Sequence, residues 1–251
     1  MPHVFHFRPR QRIRDKSSLA RVADAAVLAS IGRAQRRLPP NGCPFCAKIE
    51  TPEAVEHPQV LGERDGYLWL NGVGAMTQGY SLLIPRHHAR SMAEMGTTPF
   101  ELADEIRSVL CQHLKADSTC LVAEHGSSAD EVNSGSCVTH AHLHFFVMSK
   151  TLASAVLQRA EEQLGTGRTH TGSDLVQFAD MPYHLLSAEP GMYKLWHEHR
   201  RRPRQFLRRI VAQELSAQGD SSVQFDWRLA PYASEMSRTL RDYRGKWGNA
   251  C

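Results

Sequence analysis

Val138-Thr139-His140-Ala141-His142-Leu143-His144-Phe145-Phe146-Val147-Met148 is the stretch whose reading decides the fold. Read as a strand, it sends alternate side chains to opposite faces. His140, His142 and His144 then share one face, with successive positions roughly 6.6–6.8 Å apart along the strand. Thr139, Ala141, Leu143, Phe145 and Val147 share the other, which suits a core. Three imidazoles at period two are a poor choice for a solvated face, so the row reads as functional. Two chemistries fit it. His-x-His can place two imidazoles on one metal ion. Alternatively, the central imidazole attacks a phosphorus centre while its neighbours orient it and stabilise phosphate oxygens.

Working outward, Tyr67–Asn71, Ser81–Ile84, Thr119–Ala123 and Cys137–Met148 read as strands rich in β-branched, aromatic and aliphatic residues. Phe100–Leu114 reads as a helix, with Leu102, Ile106, Val109 and Leu110 on one stripe. Strands, a helix and strands again predict an antiparallel α+β unit rather than βαβ winding. Ser127–Gly135 is polar and reads as a loop. Beyond it, Ala153–Gln163 reads as a helix, Gly165–Gly172 as a flexible connection, and Pro182–Ser187 with Met192–Trp196 as a hairpin. Pro203–Ala217 opens on Pro and carries Phe206, Leu207, Ile210, Val211 and Leu215 on one side, a helix pattern. Phe225–Arg228 reads as a short strand or turn and Tyr232–Tyr243 as a last helix. Leu38-Pro39-Pro40-Asn41-Gly42 is a strong break. The expected organisation is a basic extension over residues 1–38, a catalytic α+β domain over 39–150, and an α/β appendage over 151–251 packed on it.

The chain has 251 residues, 41% hydrophobic and 22% charged, ample for a core. No stretch approaches the roughly 18 apolar residues of a membrane span, which excludes an integral helical membrane protein. The N-terminus lacks the apolar segment of a secretory signal, and Asp15 and Asp24 speak against an organelle transit peptide. Residues 1–38 hold nine Arg/Lys and two Asp, a net of +7 out of +4 overall, leaving −3 elsewhere. The core thus offers no field for a polyanion, and nucleic acid is not an expected partner. The arm reads as a solvated, partly helical extension. Cys43 and Cys46 form a C-x-x-C, which suggests metal or redox chemistry in a reducing compartment, so a cytoplasmic location is expected.

His140-Ala141-His142-Leu143-His144-Phe145-Phe146 resembles the signature of the histidine triad (HIT) superfamily of nucleotide hydrolases and transferases. Other pieces resemble it in order. Cys43-Pro44-Phe45-Cys46 is similar to the opening C-x-x-C of zinc-containing members. Gly79-Tyr80-Ser81-Leu82-Leu83-Ile84-Pro85-Arg86-His87-His88 is similar to the G-H-x-L-(V/L)-I-P-K-x-H strand. Gly135-Ser136-Cys137-Val138 stands where the family has G-Q-(S/T)-V. The resemblance covers about residues 43–150.

The resemblance implies a HIT-like antiparallel sheet and a nucleotide hydrolase or nucleotidyltransferase, with hydrolysis favoured. His142 would attack the α-phosphorus and carry the nucleotidyl group, and His144 would donate to a phosphate oxygen or the leaving group. It implies a structural zinc on Cys43, Cys46, His88 and His140, with His87 a competitor that the spacing from Pro85 disfavours. Nucleotide or phosphate contacts are expected from Asn71, Glu124, Gly135, Ser136 and Cys137. Gln205, Arg208 or Arg209 would face phosphates from the C-terminal part. Phe45 and Leu70 are candidate pocket walls for which core packing is the plainer reading. Homodimers are common in the family. Three departures stand out: Ser136 for the usual Gln, Tyr80 for the usual His, and Glu124-His125-Gly126 ahead of a longer loop. They bear on substrate identity rather than reaction class. A metalloenzyme using the row as ligands and a non-catalytic nucleotide-binding protein are the alternatives.

Overall fold

Short runs of β-branched, aromatic and aliphatic residues, separated by turns, lay down eight antiparallel strands through the middle of the chain. The computed structural model describes residues 43–49, 59–112, 116–128, 140–197, 200, 202–219, 223–230 and 232–248. The basic extension over 1–38 lies outside the described residues. After a single turn, α1 (Cys46–Ile49), come β1 (Val60–Arg64), β2 (Tyr67–Asn71) and β3 (Ser81–Pro85). A 3-10 turn at Met92–Met95 leads into α2 (Thr98–Cys111), β4 (Ser118–Gly126) and β5 (Leu143–Ser149). Then follow α3 (Lys150–Leu164), β6 (Arg168–Thr171), a 3-10 segment (Gly172–Phe178), β7 (Tyr183–Glu189) and β8 (Met192–His197). The chain closes with α4 (Phe206–Ala217) and α5 (Ala233–Tyr243).

The eight strands among the described residues form one sheet in an α+β fold, in the order β1-β2-β3-β5-β4-β7-β8-β6, with every pair antiparallel. The expected hairpin after residue 182 is present as β7–β8. Two expectations are corrected and one strand is added. β5 begins at Leu143, so His140 and His142 precede the strand rather than lying in it. Val60–Arg64, which the sequence reading left out, forms the first strand. The supposedly flexible Gly165–Gly172 contains β6, whose polar Arg168-Thr169-His170-Thr171 suits an edge.

Both faces of the sheet are buried. Leu68, Leu70, Leu82, Ile84, Leu121, Ala123, Phe146 and Leu186 pack under α3 and α4. The alternate residues Tyr67, Trp69, Leu83, Val122, Leu143, Phe145 and Leu185 pack under α2. The strands therefore read as nearly continuous apolar runs, the mark of a sheet covered on both sides. α3 and α4 follow residue 150, and β7 pairs directly with β4, so the C-terminal segment extends the same sheet and covers the face that carries His144. No helix among the described residues is long and apolar enough to cross a membrane.

Candidate active site

β5 and the segment before it set out the histidines. The Nδ1–H of His142 donates to the carbonyl of His140 at 2.8 Å. That short loop bends the chain before the strand begins and brings the His142 and His144 rings to 4.6 Å between centroids. With Nδ1 protonated, Nε2 of His142 is left with its lone pair. Burial lowers the pKa of His142, and the Arg208 guanidinium lowers it further, so the ring is neutral. His144 is held well below the usual imidazole range by burial, then by His142, His125 and Arg208. Its Nδ1 lies 2.8 Å from the Tyr80 hydroxyl. Phe45 stands edge-on to both His140 and His142 and packs, partly buried, against the core. Leu70 is in the core.

His140 turns the other way. Its Nε2–H donates to the Pro85 carbonyl at 2.8 Å, and burial lowers its pKa to about 4. Nδ1 is therefore bare, and it lies 3.5 Å from the sulfurs of both Cys43 and Cys46. His88 Nδ1 lies 3.2 Å from Cys46 Sγ. One donor atom from each of Cys43, Cys46, His88 and His140 falls within 4.8 Å of the other three. Donors on a tetrahedral ion with 2.0–2.3 Å bonds are roughly 3.3–3.8 Å apart, so the spacing is compatible with a metal site. The carbonyl on the far nitrogen of His140 is the usual partner of a ligating imidazole. Burial pushes the Cys43 thiol up to about 11, so ionising it there calls for a cation close by. His88, not His87, joins this group.

The C-terminal segment brings a charge to the triad. Arg208 on α4 is 2% exposed. Its Nε donates to the Phe225 carbonyl and to Gln205, and its Nη2 to the Gly74 carbonyl at 2.8 Å. Its Nη1 is buried with no hydrogen-bond partner among the described residues. Gln205 caps α4 at φ 61° and spends its amide on Asp226 and Arg208, so it reaches the site through Arg208. Arg209 lies over the Phe225 ring instead. His125 accepts the Leu207 N–H at 3.0 Å on Nε2, with its ring 6.2 Å from that of His144. Burial, then His184 and His142, hold it neutral.

Other expected contacts are not brought to this site. Glu124 lies on the opposite face from His125, where it accepts the Met92 N–H and the Tyr183 hydroxyl. Asn71 donates to the Met236 carbonyl of α5. Gly135, Ser136 and Cys137 lie outside the described residues. The sequence reading passed over His184, which faces His125 across β4–β7, and the pair Gly72 and Gly74. A glycine at alternate positions beside a strand end was the available signal.

The HIT domain family model matches residues 53–151. Among solved structures, the crystal structure of yeast Ap4A phosphorylase Apa2 in complex with AMP is similar at 13% identity and a TM-score of 0.39, covering 60% of this chain. This chain spans 62% of that protein, less than two thirds of its length. No curated protein matches the sequence.

Proposed function

We propose that the protein is a nucleotide hydrolase or nucleotidyltransferase that cleaves at the α-phosphorus through a covalent nucleotidyl intermediate on His142, with water as the ordinary acceptor. The observation that carries this reading is the hydrogen bond from His142 Nδ1 to the His140 carbonyl, which presents a neutral imidazole with a bare Nε2. The HIT domain match over residues 53–151 supports it.

Nε2 attacks the α-phosphorus. The bond to the leaving group breaks, and the leaving group keeps the electron pair and takes up a proton from solvent. A water then attacks the same phosphorus and gives its proton back to solvent, and the P–N bond breaks with its electron pair returning to Nε2, which frees the nucleoside monophosphate and restores His142. His144 donates to an oxygen that gains charge in the transition state. The unpartnered Nη1 of buried Arg208 is a second donor for phosphate oxygens, with Gln205 holding the guanidinium in place. Cys43, Cys46, His88 and His140 are a closed set of four donors for a structural zinc. Such an ion would tie the first described segment to the row. A metal bound along the whole row fits less well. His140 Nε2 and His142 Nδ1 are both spent on carbonyls, and the four-donor group takes only His140 from the row. Dinucleoside polyphosphates, nucleoside phosphoramidates and nucleotide sugars all suit this chemistry.

The test is the intact mass of the protein after brief exposure to a nucleotide panel, quenched at alkaline pH to keep a phosphoramidate bond. One nucleoside monophosphate is expected to add to the wild type and not to His142→Ala. An adduct that survives that substitution would refute the assignment.

A further inference from the structure

Tyr80 precedes β3, and its hydroxyl lies 2.8 Å from Nδ1 of His144. The two rings run nearly parallel, 22° apart and 6.0 Å between centroids. The Arg208 guanidinium lies over the Tyr80 ring, 5.0 Å from its centroid. The backbone leaves room for this ring at Gly72, where a Cβ would fall against the Tyr80 ring carbons. A Cβ on Gly74 would meet Trp227 Cβ first, at 2.5 Å, and Arg208 Nη2 at 2.7 Å, so that glycine makes room for Trp227 as well as for the cation.

His144 is neutral, so it carries one N–H. If Tyr80 donates to Nδ1, the proton sits on Nε2. If Nδ1 donates to the phenol oxygen, Nε2 is bare. A cation over the ring draws density from the phenol, which makes its O–H a stronger donor and its oxygen a weaker acceptor. That selects the first arrangement. His142 is in the opposite state, with Nδ1 protonated and Nε2 bare. Neither Nε2 has a protein partner among the described residues. Two rings 4.6 Å apart thus offer one lone pair and one N–H. A phosphoryl group presents the matching pair, an electrophilic phosphorus and acceptor oxygens.

We propose that Tyr80 is a positioning residue that fixes His144 as the Nε2–H tautomer, making the last imidazole of the row a standing donor beside the nucleophile. A phenol suits this task because, unlike a second imidazole, it takes up no proton near neutral pH. The catalytic consequence rests on the phosphoryl-transfer reading above, whereas the tautomer assignment does not.

The experiment uses the full chain labelled with 15N. Two-bond 1H–15N correlation spectra of imidazoles separate the two neutral tautomers by their pattern, and His144 is assigned by its absence in His144→Gln. The wild type is expected to show His144 as Nε2–H and His142 as Nδ1–H. Tyr80→Phe keeps the ring between Gly72 and Arg208 and removes only the hydroxyl. It is expected to move His144 toward Nδ1–H while His142 stays as it was. A wild-type His144 in the Nδ1–H form overturns the proposal, even if the variant fails to fold. So does a Tyr80→Phe spectrum in which His144 keeps its tautomer. With a nucleoside phosphoramidate as substrate, Tyr80→Phe is expected to lower kcat about tenfold to a hundredfold with KM little changed. An unchanged kcat overturns the catalytic half of the proposal. A wild type with no turnover on the nucleotide panel counts against the phosphoryl-transfer reading alone, and the spectra still decide the tautomer.

Discussion

One step along β4 separates a carboxyl from an imidazole and sends them to opposite faces. Glu124 and His125 sit side by side in a motif, and the sequence invites reading them as one unit near the leaving group. Strand alternation divides them, and only His125 reaches the triad. The two also oppose each other in their response to acid. Burial holds His125 and His144 well below 6.5, so the folded chain keeps them neutral while the unfolded chain would protonate them below about 6.5. Their support for folding is complete above that value and is lost as the pH falls through it. Glu124 is pushed up to about 7 by burial, so between 4.5 and 7 the folded state holds the extra proton and gains from acidification. Burial lowers His140 and His142 as well, so four imidazoles outweigh one carboxyl. The expected result is a urea midpoint that drops between about pH 6.5 and 5.5, at about 1.4 kcal/mol per pH unit for each net proton. A midpoint that rises over that interval would mean that Glu124 dominates. At this scale the juxtaposition of His142 and His144 was legible, because the two lie within three consecutive residues. The stack of Arg208 on Tyr80 was not, since nothing local in either segment announces the other.

Helix α4 begins where its first N–H groups have no partner within the helix. His125 supplies an acceptor for one of them, the Leu207 N–H, and so links β4 to the helix that carries Arg208. His125→Ala should cost about 1–3 kcal/mol, the range for orphaning a buried donor. It should also speed hydrogen exchange at the Leu207 amide. Exchange as slow as in the wild type would mean that α4 is seated by its apolar face alone. The one-turn α1 depends on others more completely, because four residues cannot sustain a helix unaided. With Cys43→Ser, bound zinc should fall from about one per chain toward none and the melting temperature should drop with it. Equal metal content in variant and wild type would dismiss the site. Elements differed in how plainly the sequence announced them. α2 and α4 carried apolar stripes and were legible to within a few residues. The start of β5 was not, because the His140 carbonyl is taken by a side chain two residues on rather than by a neighbouring strand. β1 was hidden by Gly62, whose missing side chain makes room for the Trp247 carbonyl.

Across the whole molecule, the α+β class was legible from the alternation of strand runs with one helix. Strand order was not, since pairing β4 with β7 joins segments far apart in the chain. The regions before and after residue 150 share one sheet, and the later one supplies α3 and α4 over the face of His144. A chain cut after residue 150 should therefore fail to fold, with an exposed apolar face and no cooperative unfolding transition by circular dichroism. A sharp transition in that fragment would instead make it an independent unit. The first strands have a later partner still. Gly245 donates to the Leu61 carbonyl, and Arg244 reaches the Val60 carbonyl from 184 residues away. Trp247 packs edge-on against Trp69. On a ribosome, that distance is about 10–40 s of elongation at 5–20 residues per second. For that interval the nascent protein carries an unsealed sheet margin, the kind of surface that holdase chaperones and neighbouring nascent chains on the same polysome compete to cover.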